Sequence, residues 1–322
     1  MKRVSIIIPV YNEEKVIDAF YQAVLENIKS LAYDFELIFV DDGSTDKTPL
    51  ILNYITQNDP KVRAFVLSKN FGHQFALTCG LDHASGDGII TMDGDMQHPP
   101  EMIPALIAKW EEGFDIVQTI RVNTEGVSWF KRLTSKTFYK VMNAISQVKI
   151  EEGMSDFRLI DKKVLESFRL FKERTRFIRG MMELVGFKQV TVEFIAPKRY
   201  AGASKFSFKK MWYFALDGVT SFSNLPLHLA LYMGILAAMI SFILVIHVLY
   251  IKIFTSQAVP GWATIGAGIF FLVGVQFIFF GIMGEYIARI FEEVKQRPLY
   301  IVKTELKKEE KVRYLHQNSE IV

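Results

Sequence analysis

Strand-like and helix-like hydrophobic patterns alternate along the first hundred residues. Runs rich in β-branched residues are VSIIIPVYNEE, YDFELIFVDDGSTDKT, VRAFVLSKNFG and DGIITMDGD. Between them, VIDAFYQAVLENIKSL, TPLILNYITQND and HQFALTCGLDHAS carry apolar residues at helical spacing. Such alternation is typical of a parallel sheet whose strands are joined by right-handed helical crossovers. The pattern therefore predicts an α/β fold with a mostly parallel sheet.

The hydrophobic pattern changes after Ser221, where two long uncharged segments follow one another. They cover residues 225–250 and 261–284. Each has the roughly 20 apolar residues that are needed to cross a hydrocarbon core of about 30 Å. The competing interpretation is a buried helix of a soluble protein, but two such stretches in tandem exceed the usual length. We therefore predict two transmembrane helices.

Basic residues surround the two apolar segments unevenly. Three lysines between residues 205 and 210 precede the first segment, and six basic residues between 289 and 308 follow the second. The connecting loop carries only Lys252. The positive-inside rule therefore predicts a multi-pass protein of the plasma membrane with the catalytic domain and both termini in the cytosol.

Two further segments combine lysines with aromatic residues at near-helical spacing. For residues 206–223 this favours a juxtamembrane amphipathic helix on the membrane surface. For residues 127–148 an interfacial helix and a helix packed on the domain core are equally supported. The predicted organisation is a cytosolic domain over residues 1–205, a two-helix transmembrane domain over 225–289 and a cytosolic tail over 290–322, of which 303–322 are polar and loosely ordered.

Composition and motifs exclude several classes of protein. The chain has 322 residues and a formal net charge of +3, which is too small to suggest a nucleic-acid partner. The single cysteine, Cys79, allows neither an internal disulfide nor a cysteine-based metal site. The sequence contains no G-x-G-x-x-G after the first strand, no P-loop and no H-E-x-x-H. Dinucleotide-dependent redox chemistry and P-loop phosphoryl transfer are therefore disfavoured.

Acidic residues follow the predicted strands. Glu13 follows the first strand, Asp41 and Asp42 end the second, and Asp93 and Asp95 follow the fourth. Ligands of open α/β sheets bind beyond the carboxyl ends of the strands, so we expect these side chains to form one site.

A divalent cation is one explanation for acids at the end of a buried strand. Asp95 and Gln97 present oxygen donors at alternate positions, which suit Mg²⁺ or Mn²⁺ bridging to a diphosphate. Asp41 or Asp42 could instead accept a hydrogen bond from a base or a ribose hydroxyl. Taken alone, the Asp93-Gly94-Asp95 stretch could also be a solvated turn.

Several segments together resemble family 2 glycosyltransferases with the Rossmann-like GT-A fold. They are IIIPVYNEE, VDDGSTD, NFGHQFALTCGLDHASGD and MDGDMQHPPE. The similarity is greatest to polyprenyl-phosphate sugar transferases of the dolichyl-phosphate mannose synthase-like and bactoprenol glucosyltransferase-like kinds. It continues through SDFRLIDKKV, RYAGASKFSFKKM and GEYIARIFEEVKQRPLYIV, and so covers almost the whole chain. Gly94 departs from the alanine that is frequent in the family.

The resemblance implies roles for individual residues. Asp95, Asp156 and Arg158 would be catalytic, and whether Asp156 acts as a base or only positions the acceptor or the sugar stays open. For Lys131, Arg132 and Lys205, charge at the membrane surface is a competing interpretation. The remaining implied roles are nucleotide binding (Pro9, Tyr11, Glu13, Asp41, Asp42, Asp93), metal binding (Asp93, Asp95, Gln97), binding of the acceptor lipid phosphate (Arg121, Lys131, Ser135) and diphosphate binding (Arg199, Lys205).

The resemblance also implies a reaction. The expected function is inverting, metal-dependent transfer of a hexose from a nucleotide sugar to undecaprenyl phosphate at the cytosolic membrane face. UDP-glucose and UDP-N-acetylglucosamine are favoured as donors over GDP-mannose. The alternatives are a processive polysaccharide synthase, although the chain lacks a Q-x-x-R-W segment, and a non-catalytic membrane scaffold that binds nucleotide sugar. The oligomeric state stays open, with a homo-oligomer allowed.

Overall fold

The computed structural model describes four long stretches and a few isolated residues. The stretches are 1–122, 153–174, 176–195 and 261–308, and the isolated residues lie between 232 and 254. The predicted helices at 127–148 and 206–223 lie outside the described residues. The described residues fall into two units. The first unit contains residues 1–122, 153–174, 176–195 and 298–308. The second unit contains the described residues between 232 and 297.

The first unit is built on an eight-stranded sheet with helices on both faces. Its strands are β1 (Arg3–Val10), β2 (Asp34–Asp41), β3 (Val62–Leu67), β4 (Gly88–Thr91), β5 (Ile116–Arg121), β6 (Met154–Asp161), β7 (Gln189–Phe194) and β8 (Val302–Leu306). Its helices are α1 (Ile17–Ile28), α2 (Thr48–Asn58), α3 (His73–His83), α4 (Ile103–Glu111), α5 (Lys162–Arg169) and α6 (Ile178–Leu184), with a 3-10 turn at Pro100–Met102.

The order of the strands is β7-β5-β6-β4-β1-β2-β3-β8. The four strands predicted from the sequence form the parallel centre, because β1 pairs with both β2 and β4 and β2 pairs with β3. β6 runs antiparallel to β4 and β5, and β8 runs antiparallel to β3. The structure therefore confirms the predicted α/β fold and adds two antiparallel strands.

The central strands are apolar on both faces because helices cover both sides of the sheet. Ile6 and Ile8 of β1 belong to one core with residues of α1 and α4. Ile7, between them, belongs to the other core with residues of α3, α5 and α6. This burial explains why the sequence shows a continuous apolar run here instead of the alternation of a half-exposed strand.

Helix α3 approaches β1 closely at Gly80. A Cβ atom at this position would lie 2.2 Å from Cγ2 of Ile7. Ile7 is fully buried and β-branched, so it has little room to move away. Glycine at this position therefore sets the distance between the helix and the sheet.

We expect Gly80→Ala to lower the free energy of unfolding by about 1–3 kcal/mol, the usual cost of overpacking a core. Thermal unfolding of the purified protein would measure the loss. Ile7→Ala removes the clashing methyl group, so the double variant should lose less than the sum of the two single losses. Strictly additive losses, or a Gly80→Ala protein as stable as the wild type, would contradict this account of the contact.

The segment after residue 298 returns to the sheet. Val302–Leu306 forms the edge strand β8, and Arg63 on β3 pairs with Glu305 at 2.9 Å. The Tyr300 hydroxyl donates a hydrogen bond to Asp82 Oδ2 at 2.8 Å. The expectation of a loosely ordered tail is thus wrong for residues 303–306, which belong to β8. The segment is short and charged, yet β3 offers it an unpaired edge.

In the second unit, α7 (Trp262–Lys295) is a helix of 34 residues, about 50 Å long at 1.5 Å per residue. It contains nearly all of the second predicted membrane segment. Within the described residues, Leu272–Lys295 is the one stretch that length and composition allow to cross a membrane, with a mean hydropathy of 1.4 over an 18-residue window. Arg289 pairs with Glu285 one turn earlier at 3.2 Å. The first predicted membrane segment is described only at scattered residues, so it stays a prediction.

Candidate active site

An open cleft of about 240 Å³ lies at the carboxyl ends of β1, β2 and β4 and at the start of α3. This is the edge of the sheet that the sequence predicts for ligand binding. The lining residues are Pro9, Val10, Tyr11, Glu13, Asp42, Asn70, Gly72, His73, Ala76, Asp93, Gly94 and Asp95.

Hydrogen bonds join the loops that follow β1 and β2. The Asn12 amide donates to Ser44 Oγ at 2.8 Å, and Asn12 Oδ1 accepts from the Thr45 amide at 2.9 Å. The Glu13 amide donates to Thr48 Oγ1 at 2.9 Å. Asn12 has a φ of +55°, a conformation that asparagine tolerates better than most residues. One wall of the cleft is therefore held rigidly by the two loops.

The two aspartates after β2 have different partners. Asp42 accepts hydrogen bonds from the amides of Phe71 and Gly72 at 2.7 and 2.9 Å, so it fixes the turn before α3. Asp41 accepts from the Ser44 amide at 3.1 Å through Oδ1, while its buried Oδ2 has no hydrogen-bond partner among the described residues. Burial raises the pKa of both carboxyl groups.

The loop after β4 is fixed by two internal contacts. The Asp93 amide donates to His98 Nδ1 at 2.8 Å, and the Gln97 amide donates to Asp95 Oδ1 at 3.0 Å. His98 Nδ1 is an acceptor in this contact, so Nε2 carries the hydrogen and donates to Ser155 Oγ at 2.7 Å. Met96 takes a φ of +62° between these contacts. This loop therefore holds its carboxylates in place before any ligand binds.

The oxygen donors of this loop match the chemistry of a hard divalent cation, and Asp95 has an oxygen that is open to one. Asp95 Oδ2 receives no hydrogen bond from the described residues. Gln97 Oε1 accepts from Arg121 Nη1 at 3.3 Å, and Asp93 Oδ1 lies 3.4 Å from His73 Nε2. Within the described part of the chain, no three acidic, histidine or cysteine side chains form a ready metal cluster. Asp95 thus fits a cation whose shell is completed by phosphate oxygens and water.

Asp156 on β6 lies behind the cleft and joins three elements. Arg179 of α6 donates to both of its carboxylate oxygens, at 3.0 and 2.8 Å. Arg158 on the same strand donates to Oδ1 at 3.1 Å, and Gln74 of α3 donates to Oδ2 at 3.3 Å. Gln74 Oε1 in turn accepts from the Ile178 amide at 3.1 Å. The carboxylate therefore ties β6, α3 and α6 together.

These contacts decide the ionisation state of Asp156. Burial by itself raises the pKa of the carboxyl group, but Arg179, His73 and Arg158 outweigh burial and hold it well below its usual range. Burial lowers the pKa of Arg158 to about 10, so the guanidinium is still charged at neutral pH. An aspartate held in this way is a poor proton acceptor. The ion pairs favour a positioning role for Asp156 over proton transfer, and its role in the reaction stays a prediction.

His73 stands between two acidic parts of the site. Its Nε2 atom lies 3.4 Å from Asp93 Oδ1 and 3.6 Å from Asp156 Oδ2, and its side chain is 42% exposed. Partial burial lowers the pKa of the imidazole, but the two carboxylates outweigh it and raise the pKa to about 9.

The structure brings most of the predicted site residues together. Pro9, Tyr11, Glu13, Asp42, Asp93 and Asp95 line the cleft. Asp41, Gln97, Arg121, Asp156 and Arg158 are placed by the contacts given above. Lys131, Ser135, Arg199 and Lys205 lie outside the described residues, so their roles stay predictions.

Sequence reasoning assigned no role to His73, Gln74 or Arg179. His73 and Gln74 belong to the NFGHQ stretch, which follows β3 and so ends at the same edge of the sheet as the acidic residues. That position was a usable signal. No feature of the sequence pointed to Arg179, because the sequence does not show that α6 folds against β6.

Comparison with known proteins gives a consistent result. Residues 5–169 match the family described as "Glycosyl transferase family 2". The chain is 42% identical to the bactoprenol glucosyl transferase of Shigella phage SfV, over 95% of this chain and 100% of that one. It is 42% identical to the prophage bactoprenol glucosyl transferase homolog of Escherichia coli K12, over 94% and 98%. The glycosyltransferase YkcC of Bacillus subtilis is 41% identical, over 98% and 97%.

A more remote likeness is found among solved structures. The glucosyl-3-phosphoglycerate synthase of Mycobacterium tuberculosis, solved with Mn²⁺, UDP-glucose and phosphoglyceric acid, matches with a TM-score of 0.43 and 18% identity. The match covers 68% of this chain and 78% of that one. It is too remote to assign a ligand to the present chain.

Proposed function

The chain belongs to glycosyltransferase family 2, and we propose that it transfers a hexose from a nucleotide sugar to a polyprenyl phosphate, with inversion, at the cytosolic face of a membrane. The observation that carries this proposal is the 42% identity to bactoprenol glucosyl transferases over nearly the whole length of both chains. Those names favour a polyprenyl phosphate acceptor over a growing polysaccharide, and glucose as the transferred sugar.

The donor nucleotide is assigned to the cleft. Its position at the carboxyl ends of parallel strands is where nucleotides bind in open α/β sheets. The buried Asp41 Oδ2 has no partner among the described residues and can accept one N–H group, which we assign to the nucleobase. Pro9, Tyr11 and Glu13 would complete this pocket. UDP-glucose is the favoured donor.

A divalent cation, Mg²⁺ or Mn²⁺, is assigned to Asp95, with Asp93 and Gln97 beside it. When bound, it would neutralise the negative charge that develops on the leaving diphosphate. The support from the structure is the free Oδ2 of Asp95 and the fixed loop that presents it. Arg199 and Lys205 would assist at the diphosphate.

The acceptor phosphate is assigned to Arg121, together with Lys131 and Ser135. Arg121 Nη1 donates to Gln97, while its buried Nε has no hydrogen-bond partner among the described residues. A buried guanidinium nitrogen without a partner is costly, and a phosphate oxygen would satisfy it. Through Gln97, Arg121 would place the acceptor next to the leaving group.

The reaction would be a single displacement. An oxygen of the acceptor phosphate forms a bond to the anomeric carbon while the bond to the diphosphate oxygen breaks and its electron pair leaves with the nucleotide. A phosphate monoester is already an anion near neutral pH, since its second pKa is about 6. No strong base is then required, in agreement with the ion-paired state of Asp156.

The membrane assignment rests on α7 and on the acceptor. A polyprenyl phosphate resides in a bilayer, and Leu272–Lys295 is long and apolar enough to cross one. We propose two spans, over residues 225–250 and 261–284, with the catalytic domain in the cytosol.

The test is a transfer assay with radiolabelled nucleotide sugars, with and without undecaprenyl phosphate. We expect label in the lipid fraction from UDP-glucose only when the lipid phosphate is present. Displacement from an α-linked donor should give a β-linked product, which NMR of the purified glycolipid would show. Label in a growing polymer would favour a polysaccharide synthase. Binding of the nucleotide sugar without any transfer would favour a scaffold. An α-linked product would overturn single displacement.

A further inference from the structure

The cleft is lined by four acidic side chains and one basic one. Glu13, Asp42, Asp93 and Asp95 line it together with His73. A nucleoside diphosphate is an anion, so carboxylates alone would repel it. Among the described lining residues, His73 is therefore the side chain best suited to meet the diphosphate of the donor.

We propose that His73 is a catalytic residue whose Nε2–H donates a hydrogen bond to the diphosphate of the nucleotide sugar. This inference rests on the proposed function, because it takes the donor to be a nucleotide sugar bound in the cleft. It extends that function by giving the protein a contact to the leaving group that is independent of the cation and of Arg199 and Lys205.

The surroundings of His73 place the hydrogen on Nε2. Nε2 faces carboxylate oxygens of Asp93 and Asp156, at 3.4 and 3.6 Å. An ionised carboxylate only accepts, so the ring nitrogen that faces both must be the donor. Both distances exceed the usual 2.7–3.2 Å of an N–H···O bond. The N–H group is therefore loosely held and can turn to a phosphate oxygen.

The backbone on both sides of His73 is held in place. Upstream, Asp42 receives the amides of Phe71 and Gly72, and Gly72 has a φ of +107°, which glycine adopts at little cost. Downstream, Gln74 bridges Asp156 and the Ile178 amide. These contacts fix the start of the helix, so the imidazole is positioned before the donor arrives.

The position of His73 in its helix favours the same ligand. It is the first residue of α3, which has 11 residues. The amino end of a helix carries a partial positive charge and stabilises an anion nearby. The side chain and the helix end thus act on a diphosphate in the same direction.

The test measures UDP binding to the full-length protein in detergent with Mg²⁺, by calorimetric titration. We expect His73→Leu to weaken UDP binding about 10- to 100-fold, the loss expected for a hydrogen bond to a charged group. His73→Lys restores an N–H donor at the end of the side chain and should recover most of that loss. If His73→Leu does not fold, His73→Asn takes its place, because its amide is too short to reach the Nε2 position.

His83 provides the matched control, since it lies at the other end of α3, where its Nδ1 is 2.8 Å from the Cys79 carbonyl oxygen. His83→Leu should bind UDP within about threefold of the wild type. Wild-type affinity in His73→Leu would overturn the inference. Equal losses in His73→Leu and His73→Lys would also overturn it, because a missing donor would not explain them.

Failure of the proposed function would look different. The wild-type protein could bind UDP with an affinity that depends on His73 and yet transfer no sugar to undecaprenyl phosphate. That result would leave the role of His73 intact and show that the proposed acceptor is wrong. A wild type that binds neither UDP nor GDP would overturn the proposed function, and the inference with it.

Discussion

Replacing Asp95 by alanine is expected to lower kcat for sugar transfer by about 100- to 1,000-fold or more, the scale for losing a preorganised group that stabilises transition-state charge. Asp95 Oδ2 receives no hydrogen bond within the described residues, while Asp95 Oδ1 is fixed by the Gln97 amide at 3.0 Å. A cation that neutralises the leaving diphosphate would lose its anchor. Steady-state assays over a range of Mg²⁺ and Mn²⁺ concentrations would measure the effect.

The control for Asp95→Ala is Asp18→Ala, which removes an exposed carboxylate from the first turn of α1. It should leave both turnover and the dependence on metal unchanged. The fold of Asp95→Ala should also be intact, because its side chain makes one local contact, to the Gln97 amide. An Asp95→Ala protein with near-normal, metal-dependent activity would show that the cation is held elsewhere.

The second large effect is expected at Asp156, where Asp156→Asn should lower the free energy of unfolding by about 3–5 kcal/mol, the cost of breaking a buried ion pair. The change leaves Arg158, which is fully buried, without its charged partner. It also removes the bidentate contact of Arg179, which joins α6 to β6. Thermal or denaturant unfolding of the detergent-solubilised protein would measure the loss.

Asp161→Asn is the matched control, since Asp161 ends the same strand and caps α5 by accepting from the Lys163 amide at 3.0 Å. Asparagine keeps one oxygen for the cap but replaces the oxygen that accepts from Trp110 Nε1 at 2.8 Å, so this variant should lose only about 1–2 kcal/mol, less than Asp156→Asn. Equal stability losses in the two variants would refute a special role for Asp156.

The same ion pairs predict how this loss depends on pH. The pKa of Asp156 is held well below its usual range in the folded protein, while in the unfolded chain it is about 3.9. A depressed folded-state pKa stabilises the protein above the unfolded value, and this stabilisation is lost as pH falls toward the folded value. The difference between wild type and Asp156→Asn should therefore be full at neutral pH and shrink below about pH 4.

The acidic edge of the cleft could be predicted from sequence because it follows from topology. In parallel strands joined by helical crossovers, every carboxyl end lies at the same edge. Once VSIIIPV, FELIFVDD and GIITMDGD are identified as strands, Glu13, Asp42, Asp93 and Asp95 are predicted to lie at the same edge of the sheet. The structure places all four on one cleft.

The partners of those residues could not be predicted in the same way. Asp156 binds Arg179, 23 positions away, and Gln74, 82 positions away. Neither contact leaves a periodic or motif signal in the chain. Strand β8 was missed for a similar reason, because a short charged segment becomes a strand only when an open edge such as that of β3 accepts it.

The amino-acid order alone determined the family, the parallel centre of the sheet and the side on which ligands bind, because each depends on local patterns and on a topology with few alternatives. Tertiary structure alone decided which carboxylate is ion-paired, which is open to a cation and which imidazole faces the cleft. Those properties depend on burial and on the distances between atoms that are remote in the chain, and they exist only after the chain has folded.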